Sequence, residues 1–263
     1  VWSRNLDNLL IGKYISSADL GVYSRAYSFL LFPVSAISSI IIKVLFPSFV
    51  KIKNDPERVK HIFIRIARMV ALLIFPLMLL FFLCAEEITI IVFGEKWLGI
   101  IPFLKLFSFL GMYQSILSLN GPLYTSMGRT KLDFQISLFT QSVNITTLLI
   151  GINWGIYGII TAIYVALVIN FYPVNHFILK TINLKVFQYY GKLLKILSIN
   201  LVTFLLVFLL QNLIEFDEVS SFVPLLTKVV AYLGLYFIIL KVFKVTELNS
   251  FINLIKSKGK SYE

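Results

Sequence analysis

Residues that build metal, redox or disulfide sites are nearly absent from this sequence of 263 residues. It has one cysteine, Cys84, and two histidines, His61 and His176, which lie far apart. A single cysteine cannot form an intrachain disulfide, and two distant histidines do not make a metal site. The sequence also lacks P-loop, GxSxG, HExxH, CxxC and dinucleotide-binding patterns. We therefore expect no cofactor, no metal and no enzymatic activity.

Charged residues are scarce as well. They make up 14% of the chain, whereas 58% of it is hydrophobic, and a typical soluble domain carries about 25% charged residues. The apolar residues form runs of about 20, the length with which a helix crosses a bilayer. This composition predicts an all-α fold, a polytopic membrane helical bundle with one partial plus seven full transmembrane helices.

The predicted spans follow the apolar runs. After a partial span at Val1–Tyr14, the full spans are Leu20–Phe46, Met69–Leu83, Ile100–Met127, Phe134–Ile152, Ile156–Leu179, Ile196–Leu213 and Val223–Phe243. A turn is predicted at Ile15–Gly21 and a polar loop between the second and third spans. Glu86–Trp97 is expected to form a short surface or re-entrant helix with its stop at Gly94, and a basic linker is expected at Lys180–Lys195.

The net charge of +11 has a topological explanation. Most of the 24 Lys and Arg residues lie in Lys43–Arg68, Arg129–Lys131, Lys180–Lys195 and the chain from Lys241 onward. Cytoplasmic loops of membrane proteins are enriched in these residues, so the pattern predicts a cytoplasmic C-terminus. Such loops also attract anionic membrane lipids. Because the cations lie at membrane boundaries and no nucleic-acid-binding motif occurs, nucleic acid is not an expected partner.

Polar side chains inside the spans are the candidate functional residues, because a charge in a membrane usually faces a polar interior. They share positions within apolar helical sequence: Arg4, Asp7 and Asn8 on one face of the first helix, Arg25 in the second, Lys105 and Gln114 in the fourth, and Gln141 and Asn144 in the fifth. We interpret them as a candidate substrate cavity. The alternatives are a structural Arg–Asp pair, an interfacial anchor at Arg25, and interhelical hydrogen bonds by the amides.

Four motifs in order give the chain a family resemblance. They are the pattern D-x-x-L-I-G-K-x-I-S-x-x-D-L-G-V-Y-S at Asp7–Ser24, continued to Pro33, then V-L-F-P-S-F at Val44–Phe49, I-V-F-G-E-K-W at Ile91–Trp97 and M-G-R-T-K at Met127–Lys131. The sequence resembles the polysaccharide transporter family, the Wzx-type oligosaccharide flippases of the multidrug/oligosaccharidyl-lipid/polysaccharide superfamily. The motifs cover residues 1–133, and the remainder is similar only in hydropathy.

The resemblance implies two lobes of about six helices around a central cavity, often with two more helices at the C-terminus. The chain begins with Val inside an apolar pattern, and the opening stretch is similar to the start of the second lobe. We therefore expect the C-terminal half of such a protein. Residues 1–179 would form second-lobe helices, residues 180–243 the C-terminal helix pair, and residues 244–263 a basic cytoplasmic tail.

The function implied by the resemblance is transport. A member would flip undecaprenyl-diphosphate-linked oligosaccharide repeat units, for O-antigen, capsule or a related glycan, across the bacterial cytoplasmic (inner) membrane by alternating access. The cationic cavity residues would hold the diphosphate or acidic sugars. A glycan polymerase and other assembly proteins would be partners, besides membrane lipids.

Two other functions are open from the sequence. A drug or cation antiporter of the same superfamily would need cavity carboxylates, and Asp7 is the one plausible candidate in this sequence. A membrane enzyme of glycan assembly would need a large extracytoplasmic loop, whereas the predicted outer loops are short. Both alternatives rank below the flippase.

Overall fold

The computed structural model describes residues 5–211 and 221–244, with only the backbone of residues 40–48. These residues form helices joined by short turns, and no strand occurs among them. The all-α prediction is confirmed. The partial span before residue 5, the loop within 212–220 and the tail after residue 244 were predicted for segments outside the described residues.

Ten α-helices follow one another in the described chain. They are α1 (Leu6–Tyr14), α2 (Ser17–Ile52), α3 (Pro56–Leu83), α4 (Ala85–Ile88), α5 (Ile101–Leu117), α6 (Asn120–Ser126), α7 (Thr130–Gly151), α8 (Gly155–Lys180), α9 (Val186–Gln211) and α10 (Phe222–Val242). Between α4 and α5 the chain forms a π-helical segment, Thr89–Phe93, and a 3₁₀ segment, Glu95–Ile100.

Six helical stretches of the described chain are long and apolar enough to cross a membrane. One of them is Thr130–Lys180, which has 51 residues and contains both α7 and α8. The chain is therefore a multi-pass membrane protein. The predicted count of one partial and seven full spans stays a prediction.

The predicted polar loop between the second and third spans is wrong in extent, because most of it is helical. α2 continues to Ile52, and α3 begins at Pro56. Asp55 explains the early start: its Oδ1 accepts a 3.0 Å hydrogen bond from the backbone N–H of Arg58. An Asp at the N-cap followed by Pro at the first helical position is a favoured way to start a helix. The predicted basic linker is likewise shorter, since α9 begins at Val186.

The predicted fourth span is interrupted. α5 ends at Leu117, two residues form a turn, and α6 begins at Asn120. Upstream of α5, Gly94 ends the π-helical segment with a φ of 85°, a conformation that residues other than glycine rarely adopt. The predicted stop at Gly94 agrees with this backbone.

α7 and α8 form a tight antiparallel hairpin. The 3₁₀ turn Ile152–Trp154 joins them, and Gly155 begins α8 with a φ of 66°. Near the turn, Gly151 and Gly158 face each other so closely that a Cβ at Gly158 would collide with the carbonyl oxygen of Gly151. Small residues at such a crossing allow two membrane helices to pack backbone against backbone.

The chain divides into two compact units. Unit 1 comprises the described residues through His61 and Leu117–Tyr189, and unit 2 comprises Ile62–Ile116 and the described residues from Tyr190 onward. The core of unit 1 includes Ile11, Tyr23, Leu30 and Tyr124, and that of unit 2 includes Phe63, Ile74, Met78, Leu79 and Phe107. The predicted division at residues 179 and 243 stays a prediction.

Candidate functional site

The predicted cavity residues are divided between the two units. Asp7, Asn8, Arg25, Gln141 and Asn144 belong to unit 1, and Lys105 and Gln114 belong to unit 2. Arg4 lies outside the described residues, and so does its predicted pairing with Asp7.

Asp7 connects α1 to α2. Its Oδ2 accepts a 2.6 Å hydrogen bond from the hydroxyl of Tyr23, and its Oδ1 accepts a 2.9 Å bond from the backbone N–H of Asn8. Tyr23 is fully buried, and its ring stacks on that of Tyr27 with centroids 5.9 Å apart. Both carboxylate oxygens therefore have donors, and Tyr23 was not among the predicted site residues.

The turn between α1 and α2 is closed by a hydrogen-bonded cap. The Ser16 hydroxyl accepts a 3.0 Å bond from the backbone N–H of Asp19 and donates a 2.7 Å bond to Asp19 Oδ2. Side-chain caps of this kind satisfy N–H groups that have no partner within the helix. The turn is shorter than predicted, because α2 already begins at Ser17. It fixes the direction in which α2 leaves and hence where Tyr23 meets Asp7.

Asn8 and Arg25 have different surroundings although both were predicted to line the cavity. Asn8 is half-buried, and its Oδ1 is a buried oxygen without a hydrogen-bond partner. Arg25 is exposed. It lies two residues after the buried Tyr23 and therefore on a different face of α2. A buried acceptor without a donor costs free energy, which makes Asn8 Oδ1 a candidate acceptor for a ligand. Arg25 has donors alone.

Asn144 bridges α7 and α8. Its Oδ1 accepts a 3.2 Å hydrogen bond from Nδ2 of Asn170. Asn170 is buried, and its own Oδ1 has no hydrogen-bond partner. Gln141 lies three residues before Asn144 on α7 and is half-buried. Asn170 is thus the polar partner of Asn144 across the two helices.

In unit 2, Lys105 lies among aromatic rings. Its Nζ is 5.8 Å from the ring centroid of Phe82, a distance at which a cation is attracted by the face of an aromatic ring. Phe82 also contacts Phe109 and Phe204, with centroids 5.5 and 5.4 Å away. Lys105 is half-buried, and Gln114 is half-buried further along α5.

An apolar groove of about 450 Å³ lies on the α7–α8 hairpin. Its lining includes Gly151, Trp154, Tyr157, Gly158 and Ala162. None of the predicted cavity residues that the structure describes lines it. It is therefore not the cationic cavity that the sequence predicts.

Unit 2 contains an ion pair between two charged residues that were not predicted to be partners. Lys228 of α10 forms an ion pair with Glu87 of α4, and Glu87 is buried. The other carboxylate oxygen of Glu87 has no hydrogen-bond partner. Lys228 is a lone lysine in an apolar run, which is itself a signal for an internal charge partner. In the part of the chain that the structure describes, no group of three His, Cys, Asp or Glu side chains could hold a metal ion.

The chain is similar to proteins of bacterial polysaccharide synthesis. Residues 1–102 match the family described as "Polysaccharide biosynthesis protein". Over 130 residues, 49% of this chain and 27% of the relative, it is 34% identical to teichuronic acid biosynthesis protein TuaB of Bacillus subtilis (strain 168). Over 149 residues, 57% of this chain and 30% of the relative, it is 30% identical to lipopolysaccharide biosynthesis protein WzxC of Escherichia coli (strain K12).

The name of a third relative describes it as a transport protein. The chain is 30% identical to succinoglycan biosynthesis transport protein ExoT of Rhizobium meliloti (strain 1021), over 98 residues that are 37% of this chain and 20% of the relative. The matched segments thus span less than a third of the length of each of these three relatives. The family match includes Asp7, Tyr23, Arg25 and Glu87 and ends before Lys105.

Proposed function

We propose that the chain works in a flippase for lipid-linked oligosaccharides, because residues 1–102 match the family described as "Polysaccharide biosynthesis protein". The flippase exports repeat units linked to undecaprenyl diphosphate, for O-antigen, capsule or a related glycan. The observation that carries this proposal is the family match over the opening helices. The three relatives are named for different glycans, which supports a glycan substrate in general and no particular sugar.

The proposed location is the bacterial cytoplasmic membrane, with the C-terminus in the cytoplasm. The long apolar helices support a multi-pass protein, and the distribution of Lys and Arg along the sequence supports this orientation. Transport proceeds by alternating access, in which one part of the protein rocks against another around a fixed substrate site. The chain supplies second-lobe helices and a C-terminal helix pair to this arrangement.

The candidate residues have roles that follow from their chemistry. Arg4, Arg25 and Lys105 bind the diphosphate or acidic sugars, because guanidinium and ammonium groups donate to phosphate oxygens. Amide side chains both donate and accept, which suits the hydroxyls of sugars. The unpartnered Oδ1 atoms of Asn8 and Asn170 support sugar binding by the amides, with Gln114, Gln141 and Asn144 as the other members.

The hydrogen bonds of Asp7 favour a glycan flippase over a cation antiporter. A cation-exchanging carboxylate must be free to bind a proton, a sodium ion or a cationic substrate. Asp7 instead accepts bonds from Tyr23 and from the backbone of Asn8, and the buried Glu87 is paired with Lys228. We assign Asp7 the role of fixing α1 against α2.

The protein is proposed to act without catalysis, as a transporter that hands its substrate to a glycan polymerase or another assembly protein. The transport term in the name of ExoT supports this over a membrane enzyme of glycan assembly. Turnover of a lipid-linked sugar by the purified protein would contradict it.

Charge removal at the two described cations tests the proposed site. In a strain that lacks the native gene, Arg25→Glu combined with Lys105→Glu should abolish surface glycan display, measured by glycan staining of cells. Lys105→Met with Arg25→Gln removes charge and keeps the aliphatic part of the Lys105 side chain near Phe82. That pair should also reduce display strongly.

Lys96→Glu is the matched control, because Lys96 is an exposed cation outside the candidate set. It should leave display unchanged at equal protein level in the membrane. Full display by both double variants would overturn the assigned role of Arg25 and Lys105. Substrate-stimulated sodium or proton flux with a cationic drug in liposomes, without glycan transport, would favour the antiporter instead.

A further inference from the structure

α3 contains a proline in its interior, and a tyrosine from α10 occupies the position of the missing hydrogen bond. Pro76 has no N–H, so the carbonyl of Leu72, four residues earlier, loses its usual helical donor. The hydroxyl of Tyr236 donates a 2.9 Å hydrogen bond to this same Leu72 carbonyl. Both residues are buried. Because lipid offers no alternative donor, an unpaired carbonyl at this position would be costly.

Tyr236 belongs to a stripe of residues four apart on α10. Lys228, Tyr232, Tyr236 and Leu240 lie on one face, since residues at i and i+4 are neighbours on a helix. Lys228 pairs with Glu87 of α4, and the Tyr232 hydroxyl donates a 3.2 Å bond to Asn200 of α9. The stripe thus places polar contacts to α3, α4 and α9 along one side of α10.

The rest of α10 has little burial. In an apolar stretch of 18 residues within α10, 17% of the residues are buried. In the corresponding stretch of α3, 67% are buried. In a bilayer, apolar side chains gain little by leaving lipid, so helix association depends on close packing and interhelical hydrogen bonds. The attachment of α10 to α3 therefore depends strongly on the few groups of this stripe.

We propose that α10 is a latch on the proline break of α3, with Tyr236 supplying the donor that Pro76 removes. Separation of α10 from α3 leaves the Leu72 carbonyl without a partner. A bend of α3 at Pro76 moves the same carbonyl away from Tyr236. Docking of α10 and the curvature of α3 are consequently coupled at one hydrogen bond, and this coupling does not depend on which substrate the protein carries.

A double-mutant cycle between Tyr236 and Pro76 tests the latch in the purified full chain. Cys84 is the natural reporter: it is the single cysteine, is buried and lies beside the α4 end of the latch. Its labelling rate by a maleimide dye at pH 7.5 measures opening. Tyr236→Phe should speed labelling about tenfold, because it leaves a buried carbonyl unsatisfied. In the Pro76→Ala background, which restores the N–H, the same change should speed labelling less than about threefold.

Tyr232→Phe is the matched control, since Tyr232 is a buried tyrosine of the same stripe that bonds Asn200 instead. Its effect on labelling should be equal in both backgrounds. If Tyr236→Phe does not accumulate in membranes, Pro76→Ala should restore accumulation. The proposal is overturned if Tyr236→Phe has the same effect with and without Pro76, or if neither Tyr236→Phe variant accumulates.

Discussion

The Tyr23 hydroxyl donates a 2.6 Å hydrogen bond to Asp7 across the α1–α2 turn. Sixteen residues separate the two, and the bond lies within the segment that matches the family. Because Tyr23 is fully buried, removal of Asp7 takes away an acceptor of a buried hydroxyl. The pair therefore holds the two opening helices together by an interaction that is costly to break from one side.

Asp7→Ala should destabilise the protein by about 1–3 kcal/mol, because it removes the charged acceptor of the buried Tyr23 hydroxyl. Asp7→Asn retains an acceptor oxygen and should cost less. Thermal unfolding in detergent measures both. Tyr14→Phe, which removes a hydroxyl from an exposed tyrosine of the same helix, should leave the midpoint unchanged. Equal midpoints for Asp7→Ala and the native protein would show that the bond carries no stability.

The crossing of Gly151 and Gly158 gives a second prediction. A Cβ at Gly158 would collide with the Gly151 carbonyl and lie 2.8 Å from Trp154 Cβ, so Gly158→Ala must push α7 and α8 apart. Overpacking of this kind costs about 1–3 kcal/mol. Gly191→Ala and Gly234→Ala are matched controls, because nothing lies within 4 Å of a Cβ at either helical position. They should be neutral or stabilise by up to about 1 kcal/mol, and a Gly158→Ala variant as stable as these controls would contradict the close crossing.

The helices of the apolar segments could be predicted from sequence because their signal is local. Val223–Phe243 was predicted where α10 occupies Phe222–Val242, and Phe134–Ile152 where α7 occupies Thr130–Gly151. Apolar length and a breaker at each end suffice for such segments. The prediction failed where a helix continues beyond the apolar run. At Pro56, a cap by Asp55 starts α3 within a polar segment, and composition alone reads that segment as a loop.

The contacts of the candidate residues could be predicted only in part. The i, i+3 spacing of Gln141 and Asn144 identifies a polar face, but the bond to Asn170 depends on how α7 and α8 cross. The pair Glu87–Lys228 joins residues 141 positions apart, and no local pattern specifies such a partner. A lone lysine in an apolar helix and a proline inside a helix nevertheless each indicate a polar group that needs a partner. Both contacts involve α10: Lys228 pairs with Glu87, and Tyr236 donates to the Leu72 carbonyl.

Cys84 gives a prediction about pH. Burial raises the pKa of its thiol to about 12, with a further rise from the nearby Glu87 carboxylate and an opposing effect of Lys228. At pH 8 the folded protein then contains about a thousandfold less thiolate than an ordinary cysteine with a pKa of about 8.5. Since the thiolate is the nucleophile, maleimide labelling of the native protein should be at least that much slower than labelling of the denatured chain.

The same shift affects stability at high pH. A thiol whose pKa is higher in the folded state favours folding fully below the unfolded value of about 8.5. This contribution is lost as the pH rises from there towards 12, because the unfolded chain releases its proton first. The thermal midpoint should therefore fall more steeply above pH 9 in the native protein than in Cys84→Ser.

The labelling experiment has a control with a reactive cysteine, Cys84→Ser with Thr130→Cys at an exposed site. This variant should label rapidly at pH 7.5, and equally rapid labelling of native Cys84 would contradict its buried, protonated state.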